Sequence, residues 1–302
     1  MKLYYFKDPN GNFGDDLNPW LWKKLIPSLF DENEDELFVG IGTLLNHRLP
    51  ERPIKHIFGS GYGYGTPPIL NNRFVFHAVR GYETARVLQL DPKLVITDAA
   101  VLLRTVTLPK HCEAPNAIGF MPHCQSSRNF DWKKVCDEIG LKYISAEWDV
   151  KTVLEEMLSC RKIVCEAMHG AIVADTLRIP WVPVSCYDYI SEFKWRDWLS
   201  TLDLPYSPIF ITSLYNADQG KPLKSVMKNR LKRTLKKAGI WSTNWTSPPN
   251  AATGLAEFYR AASQLQSAAE SPTLLSNEKT LERHIERYQI AIQKFIVSRV
   301  SL

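Results

Sequence analysis

The chain has 302 residues, 45% of them hydrophobic and 23% charged, with a formal charge of +5. That composition supports one large or two ordinary soluble domains with a sizeable core, and it argues against a disordered chain. No run approaches the roughly 18 apolar residues of a membrane span, and the mild positive charge admits an acidic ligand without calling for nucleic acid.

Leu3 to Phe6 reads as a short strand directly after Met1-Lys2, with no charged-then-apolar leader, so a cytoplasmic protein is expected. The loop Asp8-Pro9-Asn10-Gly11-Asn12-Phe13-Gly14-Asp15-Asp16-Leu17 follows. Its glycines and asparagines tolerate positive φ and let backbone approach a ligand. Asp15 or Asp16 can cap a helix carrying Leu17, Trp20, Leu21, Trp22 and Leu25, with Pro19 in its first turn. The loop is either a tight strand-to-helix turn or a substrate loop at the carboxyl edge of a sheet. Residues 37–42 and 54–59 are further strands, and the second enters Gly59-Ser60-Gly61-Tyr62-Gly63-Tyr64-Gly65, four glycines in seven residues. No Lys-Ser/Thr closes that loop and no G-x-G-x-x-G follows the first strand, which argues against a P-loop or a dinucleotide fingerprint. Residues 74–79 form a strand ending at Arg80-Gly81 before a helix over 82–90, and 94–97 form another ending at Asp98. Arg80 can fork a carboxylate or phosphate, or pair with Glu83 or Asp98.

Residues 103–115, polar and holding two prolines, predict a linker. The pattern then restarts with a strand over 117–121 into Pro122-His123-Cys124-Gln125, a helix over 130–139, a strand over 142–145 and a helix over 149–160 capped by Asp149. A strand over 162–165 runs into Glu166-Ala167-Met168-His169-Gly170 and an amphipathic helix to residue 179, followed by a strand over 181–185. A strand entering a Gly-flanked helix start aims backbone N–H groups at the space beyond it, a ready anion site. There His169 can hold a phosphate or move a proton; the plainer alternative is a helix start with a packed histidine. Residues 192–198 interleave aromatic and charged side chains, with Lys194 and Arg196 able to face an anionic ligand. Two successive β-α-β arrays predict an α/β fold of two Rossmann-like, doubly wound domains facing each other across a cleft, over 1–108 and 109–215.

A helical extension is expected over 216–302. Its first helix, 221–237, is basic, with Lys224, Lys228, Arg230, Lys232, Arg233, Lys236 and Lys237 around a stripe of Leu223, Met227, Leu231 and Leu235. Gly239 stops it, and Ile240, Trp241 and Trp245 follow. It is either a solvated helix packed by one face or, over 221–245, an interfacial element for an anionic membrane surface. A small-residue helix over 250–269 follows Pro248-Pro249. A long helix over 277–300, with Leu281, Ile285, Tyr288, Ile292, Phe295 and Ile296 on one side, needs a surface to cover. The six cysteines, Cys112, Cys124, Cys136, Cys160, Cys165 and Cys186, form no C-x-x-C pair or zinc spacing and read as reduced thiols, mostly buried. No metal site is expected.

Several of these pieces, taken in order, resemble the polysaccharide pyruvyl transferase family. They are the loop over 10–17, Val39-Gly40-Ile41-Gly42, Gly59-Ser60-Gly61, Arg80-Gly81 with Thr84, Ile96-Thr97-Asp98 with Leu102-Leu103, Phe120-Met121-Pro122-His123, and Glu166-Ala167-Met168-His169-Gly170. The resemblance covers residues 1–205 and is nearest to the ketal-pyruvate transferases of bacterial exopolysaccharide assembly, such as those for succinoglycan. It implies a glycosyltransferase-B-like pair of domains. It also implies transfer of the enolpyruvyl carbons of phosphoenolpyruvate onto two sugar hydroxyls as a cyclic ketal, with release of phosphate and with no cofactor. His123 would be the general acid or base, His169 with the Gly170 helix start would hold the donor, and Glu166 would orient His169 or act as base. Relatives often carry Arg two residues before the second His, where this chain has Ala167. The donor phosphate then needs another cation, from Arg80, Arg161 or Lys194. Asn10, Asn12, Asp15, Asp16 and Gly61 would bind the saccharide acceptor, free or lipid-linked, at the inner face of the cell membrane. A nucleotide-sugar glycosyltransferase of the same architecture is the alternative reading, and a non-catalytic membrane-surface scaffold the second.

Overall fold

In the computed structural model, which describes residues 1–31, 33–109, 115–216, 222–240 and 250–300, two parallel sheets follow one another along the chain. The first contains β1 (Lys2–Tyr4), β2 (Glu36–Val39), β3 (Ile54–Phe58) and β4 (Phe74–Ala78), in that spatial order. Between β1 and β2 lies α1 (Phe13–Leu25), which buries Phe13, Leu17, Leu21 and Trp22 and sets the Trp22 ring edge-on to Phe38 and Phe58. After β4 comes α2 (Tyr82–Val87), shorter than the expected 82–90 because Gln89 turns to a φ of 53°. The strand expected over 94–97 reduces to a single parallel bridge between Val79 and Val95.

The second sheet contains β5 (Ala117–Met121), β6 (Lys142–Tyr143), β7 (Cys160–Cys165), β8 (Trp181–Ser185) and β9 (Ile209–Phe210), in the order β6-β5-β7-β8-β9. Its helices are α3 (Cys124–Asn129), α4 (Trp132–Ile139), α5 (Val150–Leu158), α6 (Met168–Thr176) and α7 (Glu192–Leu199). Here the order reverses: the chain steps from β5 outward to β6, then back past β5 to β7. The first sheet departs from the doubly wound expectation, since each of its named strands is added on the same side of the one before. Among the described residues, only the second sheet therefore has the reversal of strand order at whose carboxyl strand ends a crevice opens.

One core runs through both sheets. Phe38 and Phe58 of the first belong to the same buried cluster as Met121, Ile163 and Trp181 of the second, joined through residues 99–103 and α6. That junction corrects two expectations. Residues 103–115 do not begin as a linker: Ala99–Thr105 is a 3-10 helix capped by Asp98, with Leu103 fully buried, and residues 110–114 lie outside the described residues. Nor is α6 amphipathic. Eight of its nine residues are buried, because it lies between the two sheets and has no solvent face.

The tail holds α8 (Leu223–Lys237), α9 (Leu255–Glu270) and α10 (Glu278–Val300). The small residues Ala261, Ala262 and Ala268 let α9 lie close on the second sheet, where they pack with Phe120, Val164 and Val184. In contrast, α10 returns to the first sheet: the Phe295 ring lies 5.2 Å from Phe58, Arg299 pairs with Glu36 at 2.5 Å, and the Tyr288 hydroxyl donates to the Thr97 carbonyl at 2.6 Å. No residue of α8 is buried. Cys112, Trp241, Trp245 and Pro248-Pro249 lie outside the described residues; the other five cysteines are buried and unbridged. Among the described residues no helix is long and apolar enough to cross a membrane.

Candidate functional site

Adjacent strands β5 and β7, at the reversal, end at Met121 and Cys165 and turn into α3 and α6 beside a cavity of about 600 Å³. Both sheets line it: Tyr4, Asn12, Gly14, Asp15, Thr43 and Arg48 from the first half, and His123, Arg128, Glu166, His169, Tyr189 and Lys194 from the second.

His123 caps α3, its Nδ1 accepting the Gln125 N–H at 3.2 Å, which leaves Nε2 as the protonated nitrogen of the neutral ring. Burial, with Lys194, Arg128 and His169 nearby, pushes its pKa down to about 4. At neutral pH it is therefore an uncharged base. The fully buried Glu166 holds this position: Oε2 accepts the His123 N–H at 3.0 Å and Oε1 the Cys186 N–H at 2.8 Å, tying together the turns after β5 and β8. Burial raises its pKa even against those bonds. The expected Glu166–His169 contact is thus replaced, because both carboxylate oxygens are taken by backbone N–H groups.

His169 instead faces the first half. Its Nε2 lies 3.7 Å from Oδ2 of the buried Asp98, and both atoms are buried without a hydrogen-bond partner. The other flank of the ring rests on Gly14, where an added Cβ would come within 2.0 Å of Nδ1. Glycine is required there by contact, not by φ. Next in sequence, Asp15 accepts from Asn12 Nδ2 at 2.5 Å. Burial raises its carboxyl to about 6, against the pull of His169 and Lys194 and with a push from Asp16 and Asp8. Lys194, on α7, lies 4.3 Å above the Tyr64 ring and donates to the Tyr64 hydroxyl. On α3, Arg128 bridges Asp8 at 2.9 Å and Glu147 at 2.6 Å. At the start of α6, Ala167 offers no side-chain cap, so the helix opens toward this space with its first N–H groups uncapped by a side chain.

No family model and no solved structure matches the chain. A curated protein does: succinoglycan biosynthesis protein ExoV of Rhizobium meliloti (strain 1021), 40% identical over 211 residues, which are 69% of this chain and 67% of that protein. The chain belongs to the ExoV family.

In this ExoV-family chain the cavity gathers His123, His169, Glu166, Lys194, Asn12 and Asp15 from the residues expected by sequence. The others lie elsewhere. Arg80 is fully buried with each of its three nitrogens engaged, donating to Asp197 at 2.9 Å, Thr43 Oγ1 at 2.9 Å and the Tyr62 carbonyl at 2.8 Å. Gly61 makes room for that guanidinium, since a Cβ would sit 2.3 Å from Arg80 Cζ. Arg161 is on the amino-terminal side of β7, remote from the strand end that feeds the site, and donates to the Asn116 carbonyl. Gly170 admits Met121 Sδ, a packing role. Asn10 is exposed in a turn over Asp8, and Asp16 accepts the Asn12 N–H at 3.0 Å as part of the α1 start. Arg128, Arg48 and Tyr189 had no role expected from sequence. Arg128 had one signal, its place five residues after His123. The polar run Gln125 to Asn129 shows no apolar stripe, however, and so gives no sign of the helix that turns it inward.

Proposed function

We propose that the protein is a transferase of bacterial exopolysaccharide assembly that adds a pyruvate ketal from phosphoenolpyruvate to a sugar. The reading takes residues 1–108 and 109–215 as the acceptor and donor halves of a glycosyltransferase-B-like arrangement working in the cytoplasm. Its main support is the neutral, half-buried His123, which lines the cavity with two cations, Lys194 and Arg128, and with a carboxyl raised to about 6. The kinship with a succinoglycan biosynthesis protein supplies the saccharide context.

Phosphoenolpyruvate carries a phosphate and a carboxylate, so two positive or N–H centres must converge on it. Lys194, Arg128 and the first N–H groups of α6 supply them, in place of the cation that Ala167 lacks. A proton must reach the methylene carbon, making it a methyl group and its neighbour oxocarbenium-like. Asp15, whose carboxyl titrates near pH 6, gives that proton. His123 takes the proton of the attacking sugar hydroxyl on Nδ1, which gives up its bond to the Gln125 N–H as the first C–O bond forms, and afterwards returns that proton to Asp15. The bond to phosphate then breaks, a second sugar hydroxyl closes the ketal, and its proton leaves with the phosphate. His169, fixed between Gly14 and Asp98, holds the donor.

The test is phosphate release from phosphoenolpyruvate with a saccharide acceptor, together with the new ketal methyl group by NMR. His123→Ala is expected to lower turnover roughly 10²- to 10⁴-fold. If His123→Ala and His169→Ala both kept wild-type phosphate release, the assignment would fail; nucleoside diphosphate release from a nucleotide sugar would replace the reaction itself.

A further inference from the structure

We propose that α8 docks the protein on an anionic lipid bilayer, next to the cavity. The helix is 15 residues long, and Leu223, Met227 and Leu231, spaced four apart and so on one face, are 75%, 64% and 61% exposed. Three large apolar side chains in a row toward water need a covering surface, and within the described residues the chain supplies none. Seven of the other twelve residues of α8 are basic, Lys224, Lys228, Arg230, Lys232, Arg233, Lys236 and Lys237, and none is acidic. A wholly polar basic helix would suit nucleic acid. A basic helix with an apolar row suits headgroups and acyl chains together.

Its location adds to the argument. Tyr215, before α8, and Thr253, after it, are clipped together by the Tyr215 N–H to Thr253 Oγ1 at 2.7 Å and the Thr253 N–H to the Tyr215 carbonyl at 2.9 Å. The next residue, Asn216, donates to the carbonyl of Asn129, the last residue of α3, at 2.8 Å. His123 caps the other end of α3, and six helical residues span only about 9 Å. The arm that carries α8 is thus rooted one short helix from the candidate base. A saccharide held in lipid would be presented on the same edge of the protein.

The full chain would be sedimented with vesicles of phosphatidylcholine alone and of phosphatidylcholine with phosphatidylglycerol in equal parts. Binding is expected only to the anionic vesicles, and it should weaken as salt rises. Each basic residue near such a surface contributes about five-fold, so Lys224→Gln/Lys228→Gln/Lys232→Gln should weaken binding about a hundred-fold. Leu223→Asp/Met227→Asp/Leu231→Asp should abolish it. No residue of α8 is buried, so both variants keep the fold, and both should release phosphate from phosphoenolpyruvate with a water-soluble saccharide at the wild-type rate. The proposal is overturned by absence of binding to either vesicle, by undiminished binding of the Asp variant, or by self-association lost in that variant without vesicle binding. Vesicle binding by a protein that turns over no donor would support docking and sink only the proposed reaction.

Discussion

Replacing Asp15 with Asn should stabilise the protein at neutral pH while removing a group the reaction uses. The carboxyl titrates near 3.8 in an open chain and near 6 in the fold, where burial outweighs the attraction of His169 and Lys194. A difference of about 2 pKa units corresponds to about 3 kcal/mol between its charged and neutral forms. Because the folded state holds the proton more tightly, it binds more protons than the unfolded chain between about pH 4 and pH 6. Wild-type stability therefore falls as pH rises through that window and does not recover above it. The neutral amide of the variant does not titrate and carries no such penalty. The gain from Asp15→Asn should be close to zero near pH 4 and reach at most about 3 kcal/mol at pH 7 to 8, less whatever the buried amide itself costs. Urea unfolding of both proteins from pH 4.5 to pH 8 reads this directly, with phosphate release assayed in parallel. A variant less stable than wild type at pH 8, or a difference that stays flat across the range, would show that desolvation does not hold up the Asp15 carboxyl.

Two further substitutions probe the frame around the site. Gly14→Ala places a methyl group 2.0 Å from His169 Nδ1, so the imidazole must move by more than about 1 Å to restore van der Waals contact. A misplacement of that size is expected to cost about 100-fold in turnover and, as overpacking, about 1–3 kcal/mol of stability; unchanged kinetics would mean that His169 does not act from its observed position. Asp197 accepts from Arg80 and twice from Thr84, all buried. Asp197→Ala strands the guanidinium and should lower stability by about 3–5 kcal/mol, whereas Arg86→Ala at the exposed Glu83 pair should cost no more than about 1 kcal/mol. Equal effects in chemical denaturation would refute the distinction.

What could be read from residues alone was what local rules decide. The strands expected over 54–59, 117–121, 162–165 and 181–185, found at 54–58, 117–121, 160–165 and 181–185, and the helix capped by Asp149, follow from apolar runs and capping chemistry. His123, His169 and Asp15 were legible as candidates because strand ends and glycine-rich turns concentrate ligand contacts. Long-range pairing escaped. Arg80 and Asp197 are 117 residues apart, so only the folded chain reveals that Arg80 is used up as a brace. The same holds for Asp98 and His169, and for Glu166, whose two oxygens satisfy backbone groups on different turns. At the start of α1, Asn12 takes the cap that Asp15 or Asp16 could have taken, which leaves Asp15 to face the cavity.

The return of α10 to the first sheet also bears on how the chain is made. Phe38 and Phe58 reach part of their packing as soon as Trp22 is present, yet their last aromatic partner is Phe295. During synthesis at roughly 5–20 residues per second, the face they form waits roughly 10–50 s before α10 is available to close it. Over that interval the second sheet and its histidines can be complete while the first still shows aromatic surface to the cell. Holding chaperones should therefore recognise the first sheet of the nascent protein, and release it only once α10 has emerged.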